Sequence, residues 1–478
     1  MFSYKANFQV ALMIMVKQAF FRFEASSLIG AGHAIRSCVL ADALVEHGWE
    51  CNIVTTAKTY EFINNLNRFD RIEPENFYNN PVLCDLLVID NYDIDQVYEK
   101  HFRSFAKKIM IIDDLANRQH DCDVLLDQTY GRDPNDYKNL VPENCTILAG
   151  SDYVLLRKEF IVMRPKAIEK RRNTKEIKRI LISMGGSCQN NHILKALEMV
   201  KESGFAGNID VVLGFDQNNL DQIKQYIKSM INKVDFHVNA NMAELIYEAD
   251  LAIGAAGSSV WERCCLGLPS VLFMTASNQK NIYELLIKNK ICYSYKDFTE
   301  NNLYNIGFNK NFCNLIDGFG VNRILIKIIM CDIFSISLKN VLPEDQDMLF
   351  DWQNIKDIRK YCNNSKIPSY EEHLLWFKNR IEQTHNPFWI IYDSDNNAIG
   401  VINLVYNNLD DYYDLGWYII PQKQSEGLGT QALKFLTYLV QPVRVHAFVK
   451  PENISSHKAL QKAGFEIIDH ENYLFNRE

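Results

Sequence analysis

A histidine at the start of a helix, following a turn of small residues, is suited to take a proton from water. The segment Ala25-Ser-Ser-Leu-Ile-Gly-Ala-Gly32 reads as such a turn, and His33 opens the helix after it. The positive end of a helix disfavours imidazolium, so the ring is expected to stay neutral and serve as a general base near pH 7. The alternative, favoured on the residues alone, is a capping or anion-binding histidine that transfers no proton. Three further turns suit phosphate. Gly185-Gly186-Ser187 follows an apolar run. Gly254-Ala-Ala-Gly257-Ser258 follows another, with Glu262 one helical turn on and Asn278-Gln279 soon after. Gln424-Ser-Glu426-Gly427-Leu428-Gly429-Thr430 lies later in the chain. Small residues let an anionic group approach free backbone N–H groups, and an acidic side chain just inside the helix can hold ribose hydroxyls. Each glycine turn alone is a weak signal.

The elements around these residues follow from apolar periodicity. Lys17–Glu24 predicts a buried strand, and His33–Val45 a helix with Ile35, Val39 and Ala43 on one stripe, ended by Gly48. Cys51–Thr56 completes a β-α-β unit. Apolar runs at Asp85–Asp90, Lys108–Asp114 and Val124–Gln128 predict further strands whose polar ends, with His33, Asp90, Tyr92 and Asp113, would line one crevice. Tyr92 as a plain packing aromatic remains open. Asp113, Asp114, Asp127 and Asp250 are expected to serve caps and loops. Ile180–Met184 starts a second half of the same kind, with helix His192–Lys201. From Ile333 the pattern changes to hairpin strands, Phe388–Tyr392, Ala398–Val405 and Tyr413–Ile420, mixed with helices.

The length of 478 residues suits three domains of roughly 150 residues each. These are expected at 15–160, 175–325 and 333–478. The composition, 47% hydrophobic and 23% charged, is that of a globular protein. A net charge of −8 without a basic face argues against a nucleic-acid partner. Lys170-Arg171-Arg172 reads as a solvated linker. The 12 cysteines include no C-x-x-C pair and read as reduced core thiols, and no ligand spacing predicts a metal. Val10–Val16 is too short for a membrane span of roughly 20 residues. With Lys17 directly behind it, it does not read as a signal peptide either. A cytoplasmic location is expected.

The turn-helix-turn pattern from Ala249 to Phe273 resembles the nucleotide-binding half of GT-B enzymes, such as the UDP-GlcNAc transferase of peptidoglycan synthesis. More specifically, Ile29-Gly-Ala-Gly-His33-Ala-Ile-Arg36, Ile112–Asp123 and Trp261–Pro269 resemble, in the same order, three segments of the UDP-sugar hydrolase family of pseudaminic acid biosynthesis. The resemblance covers about residues 15–320. It departs at Glu24, where Asp is usual, and at Asp90-Asn-Tyr-Asp93, where Asp-His-Tyr-Gly is common. It implies two doubly wound Rossmann-like halves. It also implies removal of UDP from a UDP-2,4-diacetamido-2,4,6-trideoxy sugar by water, with inversion and without a metal. His33 would be the base, and Tyr92 and Asn278 would meet the sugar. Gly32, Gly186, Ser187, Gly257, Ser258, Glu262 and Gln279 would hold UDP.

Ile419–Leu433, followed by Val443–Val449 and Asn453–Phe465, resembles the GNAT acetyltransferases and implies a C-terminal α+β domain with acetyl-CoA as co-substrate. Tyr418, Ile419 and Ile420 would pair with the pantetheine arm. Gln424, Glu426, Gly427, Leu428, Gly429 and Thr430 would wrap the pyrophosphate, and Asn453 would bond near the thioester or the pantetheine. Leu460 stands where many relatives carry an acidic tyrosine, leaving His457, a water or bulk solvent as the acid. Asp414 is a candidate amine base, with a plain surface carboxylate as the favoured alternative. Together the resemblances imply N-acetylation of a UDP-linked 4-amino sugar followed by release of UDP. The rival is a GT-B glycosyltransferase fused to a GNAT domain.

Overall fold

The computed structural model describes the chain except residues 1–15, 27–28, 64, 186–189, 215–219, 277–278, 298–305, 307–309, 331–332, 363, 384 and 477–478, and except the side chains of 190, 310 and 311. Backbone contacts divide it into two units. One comprises Met1–Ser26, His33–Leu126 and Tyr137–Thr146, the other Ser27–Gly32, Asp127–Asp136 and Ile147–Glu478.

The first sheet has seven strands: β1 (Gln18–Phe23), β2 (Glu50–Val54), β3 (Asp70–Ile72), β4 (Cys84–Asp90), β5 (Ala106–Ile112), β6 (Val124–Asp127) and β7 (Thr146–Ala149), in the order β3-β2-β1-β4-β5-β6-β7. Pairings from β3 through β6 are parallel. Parallel strands covered on both faces need continuous apolar runs. Leu86–Ile89 and Ile109–Ile112 supply them, all at most 1% exposed. The helices are α1 (Gly32–Glu46), α2 (Ala57–Phe62), α3 (Pro74–Asn79) and α4 (Gln96–Phe102). Strand order reverses between β1 and β4, and in open α/β sheets the crevice opens at the carboxyl ends of such strands. His33 follows β1 and Asp90 ends β4.

The second sheet repeats the plan. Its strands are β8 (Arg179–Ser183), β9 (Asn208–Val212), β10 (Val234–His237), β11 (Leu251–Ala255), β12 (Ser270–Phe273) and β13 (Tyr293–Ser294), in the order β10-β9-β8-β11-β12-β13, all parallel. Around it lie α5 (Lys158–Asn173), α6 (Asn190–Glu202), α7 (Leu220–Ile227), α8 (Met242–Glu248), α9 (Ser259–Cys265), α10 (Lys280–Lys288), α11 (Lys310–Asn314) and α12 (Gly320–Ile329). The run Lys170–Arg172 is not a solvated linker. It forms the last turn of α5, and Arg171, 2% exposed, donates to the carbonyls of Ile246, Tyr247 and Ala249. A helix end leaves carbonyls without intrahelical partners, and this guanidinium fills that need for α8.

The third sheet is mixed. It contains β14 (Ile336–Asn340), β15 (Phe388–Asp393), β16 (Ala398–Asn407), β17 (Tyr412–Ile419), β18 (Val445–Phe448), β19 (Glu466–Ile467) and β20 (Asn472–Phe475), in the order β14-β15-β16-β17-β18-β20-β19. Helices α13 (Gln346–Gln353), α14 (Lys356–Arg359), α15 (Tyr370–Ile381), α16 (Leu428–Leu439) and α17 (Ile454–Ala463) accompany it. Its core extends beyond the sheet's own helices to Ile161 of α5 and to Phe319, Ile326 and Met330 beside or within α12. Each such buried side chain contributes about 1.5–3 kcal/mol. Asn322 of α12 donates to the carbonyls of Leu439 and Gln441, 2.8 Å each, at the end of α16. Among the described residues, no helix is long and apolar enough to cross a membrane.

Candidate active sites

In the first unit His33 is 7% exposed at the start of α1. Its Nδ1 lies 2.5 Å from Asp90 Oδ1. The carboxylate is the acceptor, so Nδ1 carries the hydrogen and Nε2 is left with the lone pair that a general base needs. His33 and Asp90 were expected in one crevice; the hydrogen bond between them was not. One turn along α1, Arg36 grips the same carboxylate through Nε (2.7 Å) and Nη2 (2.6 Å), and Ser37 adds a bond at 3.2 Å. Burial alone would raise the Asp90 pKa; the Arg36 guanidinium, with the hydrogen bonds from Arg36 and His33, outweighs it and holds the carboxyl well below the usual range. Arg36 also donates to Asp114 Oδ2 at 3.0 Å, and the Tyr92 hydroxyl donates to Asp114 Oδ1 at 2.6 Å. The Tyr92 ring stands edge-on to His33, centroids 4.6 Å apart. Burial, then the Asp114 charge, pushes the phenol up, so it remains a hydrogen-bond donor. Asp114 thus belongs to the cluster. Asp113 does not: it accepts from Leu115 N, Ala116 N and the Tyr137 hydroxyl. Glu24, in place of the expected Asp, accepts from Thr56, Thr59 and Arg22 after β1.

In the second unit four of the predicted nucleotide contacts meet. A Cβ placed on Gly32 would stand 3.7 Å from Ser258 Oγ, and one placed on Gly257 would stand 3.3 Å from Gln279 Nε2. Gln279 is aimed by Thr275, whose N and Oγ1 donate to its Oε1 at 2.9 and 3.1 Å. Glu262 lies in the first turn of α9 and is raised by burial; Arg157 Nη2 lies 3.4 Å from it. Gly186, Ser187 and Asn278 lie outside the described residues. Sequence reasoning missed Arg263, next to Glu262. This buried guanidinium donates to Ala255 O (2.8 Å) and Ser259 Oγ (3.2 Å) and so ties down the turn carrying Gly257 and Ser258. Its room comes from Gly254, where a Cβ would lie 2.7 Å from Arg263 Nη1. Asp250 accepts from the backbone N–H groups of Lys178 and Arg179 and Asp127 from that of Thr129, as structural carboxylates do.

The third sheet opens between β17 and β18. Their register pairs Tyr413 with Val445 and Asp414 with His446; β17 then runs on to Ile419 with no further β18 partner among the described residues. Antiparallel strands point backbone groups to alternate sides. Ile420 N donates to Ile399 O, and Tyr413 N to Arg444 O. By this alternation Tyr418 and Ile420 turn their backbone groups to β16, whereas Trp417 and Ile419, beyond the last paired residues, turn theirs to the opening. The Ile419 carbonyl accepts from Gln424 Nε2 at 2.8 Å, which fixes the following loop. There Gly427 has φ +80°, with nothing within 4 Å of its missing Cβ, and begins α16 at Leu428. Gly429 would meet only Ile419 Cγ1, at 3.6 Å. Glu426 is exposed and Thr430 half-buried in this loop and first turn. The open edge and the glycine loop fit an extended thioester arm ending in a pyrophosphate. Asn453 caps α17 by accepting from Ser456 N at 3.3 Å. Leu460 is fully buried in the core. His457 accepts from the Tyr473 hydroxyl at Nδ1 (2.6 Å) and donates from Nε2 to Lys450 O (3.1 Å), so both nitrogens are occupied. Among the described residues, no group of three His, Cys, Asp or Glu is placed to hold a metal ion.

Residues 336–466 match the acetyltransferase (GNAT) domain family, and residues 180–305 match the glycosyltransferase family 28 C-terminal domain. An uncharacterised protein of Methanocaldococcus jannaschii is 27% identical over 482 residues, 92% of this chain and 94% of that protein. The UDP-2,4-diacetamido-2,4,6-trideoxy-beta-L-altropyranose hydrolase of Campylobacter jejuni is 27% identical over 292 residues, 58% of this chain and 98% of that enzyme. The spermidine N-acetyltransferase of Vibrio cholerae, solved with CoA and spermine, aligns with 30% of this chain and 95% of its own at 15% identity and a TM-score of 0.27. By fold the chain consists of Rossmann-like α/β halves, the second of them GT-B-like, followed by a mixed-sheet domain that matches the GNAT acetyltransferases. Ahead of the acetyltransferase domain it is homologous to the diacetamido-trideoxy-altropyranose hydrolase.

Proposed function

We propose that the chain carries out two consecutive steps of pseudaminic acid biosynthesis in the cytoplasm. Acetyl-CoA first acetylates the 4-amino group of a UDP-4-amino-4,6-dideoxy-N-acetylaltrosamine-type sugar. Water then displaces UDP from the resulting UDP-2,4-diacetamido-2,4,6-trideoxy sugar, with inversion. The work is divided among residues 15–160, 175–325 and 333–478. The observation that carries the hydrolytic reading is the His33–Asp90 contact at 2.5 Å, which leaves Nε2 as proton acceptor for water. Tyr92 donates to the sugar, and Asn278 contributes a further sugar contact. Gly32, Gly186, Ser187, Gly257, Ser258 and Gln279 receive the diphosphate, and Glu262 the ribose. UDP leaves as a stabilised anion, so backbone N–H groups suffice without a metal.

For acetyl transfer, the backbone groups of Trp417 and the N–H of Ile419, which face the opening, bond the pantetheine arm of acetyl-CoA. The loop from Gln424 through Glu426, Gly427, Leu428, Gly429 and Thr430 wraps its pyrophosphate, and Asn453 bonds near the thioester. The open wedge between β17 and β18 supports this reading.

A second reading is favoured by another relative: over 133 residues, 26% of this chain and 36% of that enzyme, the chain is 31% identical to the UDP-N-acetylglucosamine--N-acetylmuramyl-(pentapeptide) pyrophosphoryl-undecaprenol N-acetylglucosamine transferase of Helicobacter pylori. Incubation with UDP-2,4-diacetamido-2,4,6-trideoxy-altrose and no acceptor separates the two. Stoichiometric release of UDP and free sugar is expected; absence of UDP release would reject hydrolysis and leave the transferase.

A further inference from the structure

Asp414 and His446 are the last paired residues before β17 and β18 separate. Tyr413, Leu415 and Ile419 point into the core, so by the period of two Asp414, Gly416 and Tyr418 stand on the opposite face. On that face a Cβ on Gly416 would lie 2.8 Å from the Asn403 amide, and Tyr418 meets the Trp352 ring edge-on at 6.2 Å. A chain of side-chain bonds runs from Asp414 across β18 to the start of β20 and the exposed turn before it. His446 Nδ1 lies 2.8 Å from Asp414 Oδ1, and its Nε2 lies 3.0 Å from Asn472 Oδ1. The orientation of the Asn472 amide is fixed, because its Nδ2 donates to both Asp469 oxygens at 2.8 and 2.9 Å. Tyr412 stacks near His446, ring centroids 4.9 Å apart. The relay therefore holds one carboxylate oxygen of Asp414 from behind, while the side chain stays 49% exposed and its Oδ2 has no partner among the described residues. An ordinary strand carboxylate facing water needs no such support.

We propose that Asp414 Oδ2 receives the N–H groups of the acceptor, a primary amine, at the mouth of the strand opening, with His446 as a positioning residue oriented by Asn472 and Asp469. This rests on the acetyltransferase reading above. Holding the amine nitrogen in line with the thioester carbon is where such a contact acts, since orientation carries much of the barrier to acyl transfer.

The test uses the full chain, acetyl-CoA and UDP-4-amino-4,6-dideoxy-N-acetylaltrosamine, with thiol release as readout. Asp414→Asn is expected to lower kcat/KM for the amine about 100-fold while the KM for acetyl-CoA stays within about twofold. His446→Gln is expected to lower it about tenfold. The Asp414→Asn/His446→Gln double variant should be no worse than Asp414→Asn alone, because His446 acts only through Asp414. CoA binding by calorimetry, unchanged in every variant, shows that the domain is folded. Full turnover in Asp414→Asn, or losses that multiply in the double variant, would overturn the assignment alone. No thiol release by the unaltered protein would overturn both the assignment and the acetyltransferase reading beneath it.

Discussion

The first unit and the acetyltransferase domain present their reactive groups in different ways. Around His33 the groups are side chains held by other side chains. Asp90 fixes the imidazole, Arg36 fixes Asp90, and Asp114 joins Arg36 to Tyr92, with nearly all of it out of water. Along β17 and the loop after it the groups are mostly backbone, exposed by a strand that lost its neighbour and a glycine that leaves space open. A side-chain network fails when one charge is removed, because the partner is left buried and unpaired. A backbone site fails when something is added.

Asp90→Asn should therefore show the largest effect. Asn can offer a hydrogen where the Nδ1–H of His33 must donate, so UDP release should fall by about 10³–10⁴ through loss of the tautomer. Thermal or denaturant unfolding of the first unit should lose about 3–5 kcal/mol as Arg36 loses the buried charge it holds with two nitrogens and keeps only Asp114. Thiol release in the acetyl-transfer assay should be unchanged, and an equal loss there would erase the contrast. Gly427→Val should break the second site by addition. A β-branched residue at φ +80° is sterically disfavoured, and affinity for acetyl-CoA measured by calorimetry should drop about 10–100-fold with UDP release intact.

The seat of the acetyltransferase sheet on α5 gives a pH test. Burial, and then the charges of Arg172, Arg164 and Arg380, pushes the His385 imidazole from 6.5 down to about 3. Below pH 6.5 the unfolded chain binds a proton at this site that the folded chain refuses. Stability is therefore full above pH 6.5 and falls between 6.5 and 3, by at most about 1.4 kcal/mol per pH unit. Urea midpoints at pH 7.5 and 5.5 should differ less in His385→Gln than in the parent. The smallest effect is expected for Tyr92→Phe, which keeps the ring against His33 but loses the bond to Asp114. UDP release should fall about tenfold with little change in stability.

Much of this was legible in the sequence. Parallel sheets announced themselves as unbroken apolar runs, and turns of small residues marked where helices begin. His33, Gly257, Ser258 and Gln279 could be named because their types are chemically distinctive. Their supports were legible only in part: Asp90 was expected in the crevice of His33, but its bonds to His33 and Arg36 were not. Arg36 and Asp90 are 54 residues apart, and only the adjacency of β1 and β4 brings them together. Arg263 sat in a recognisable motif, yet its reach back to Ala255 depends on the fold of the turn. The run Lys170–Arg172 looked solvated because composition does not reveal that a neighbouring helix ends beside it. The apolar stretch Tyr413–Ile420 predicts a strand but not which alternate residues face the opening. A shift of one exchanges Tyr418 and Ile420 for Trp417 and Ile419, and that parity is set by the register with β16.

The central claim is that two separable chemistries share this chain, the hydrolytic one resting on His33. The most direct measurement is a one-pot time course of the His33→Ala protein with the UDP-4-amino sugar and acetyl-CoA, following CoA thiol, UDP-linked product and free sugar together. The account predicts thiol release at the parent rate, with the acetylated UDP-sugar accumulating and free sugar reduced at least about 10³-fold. Free sugar formed at the parent rate would contradict it.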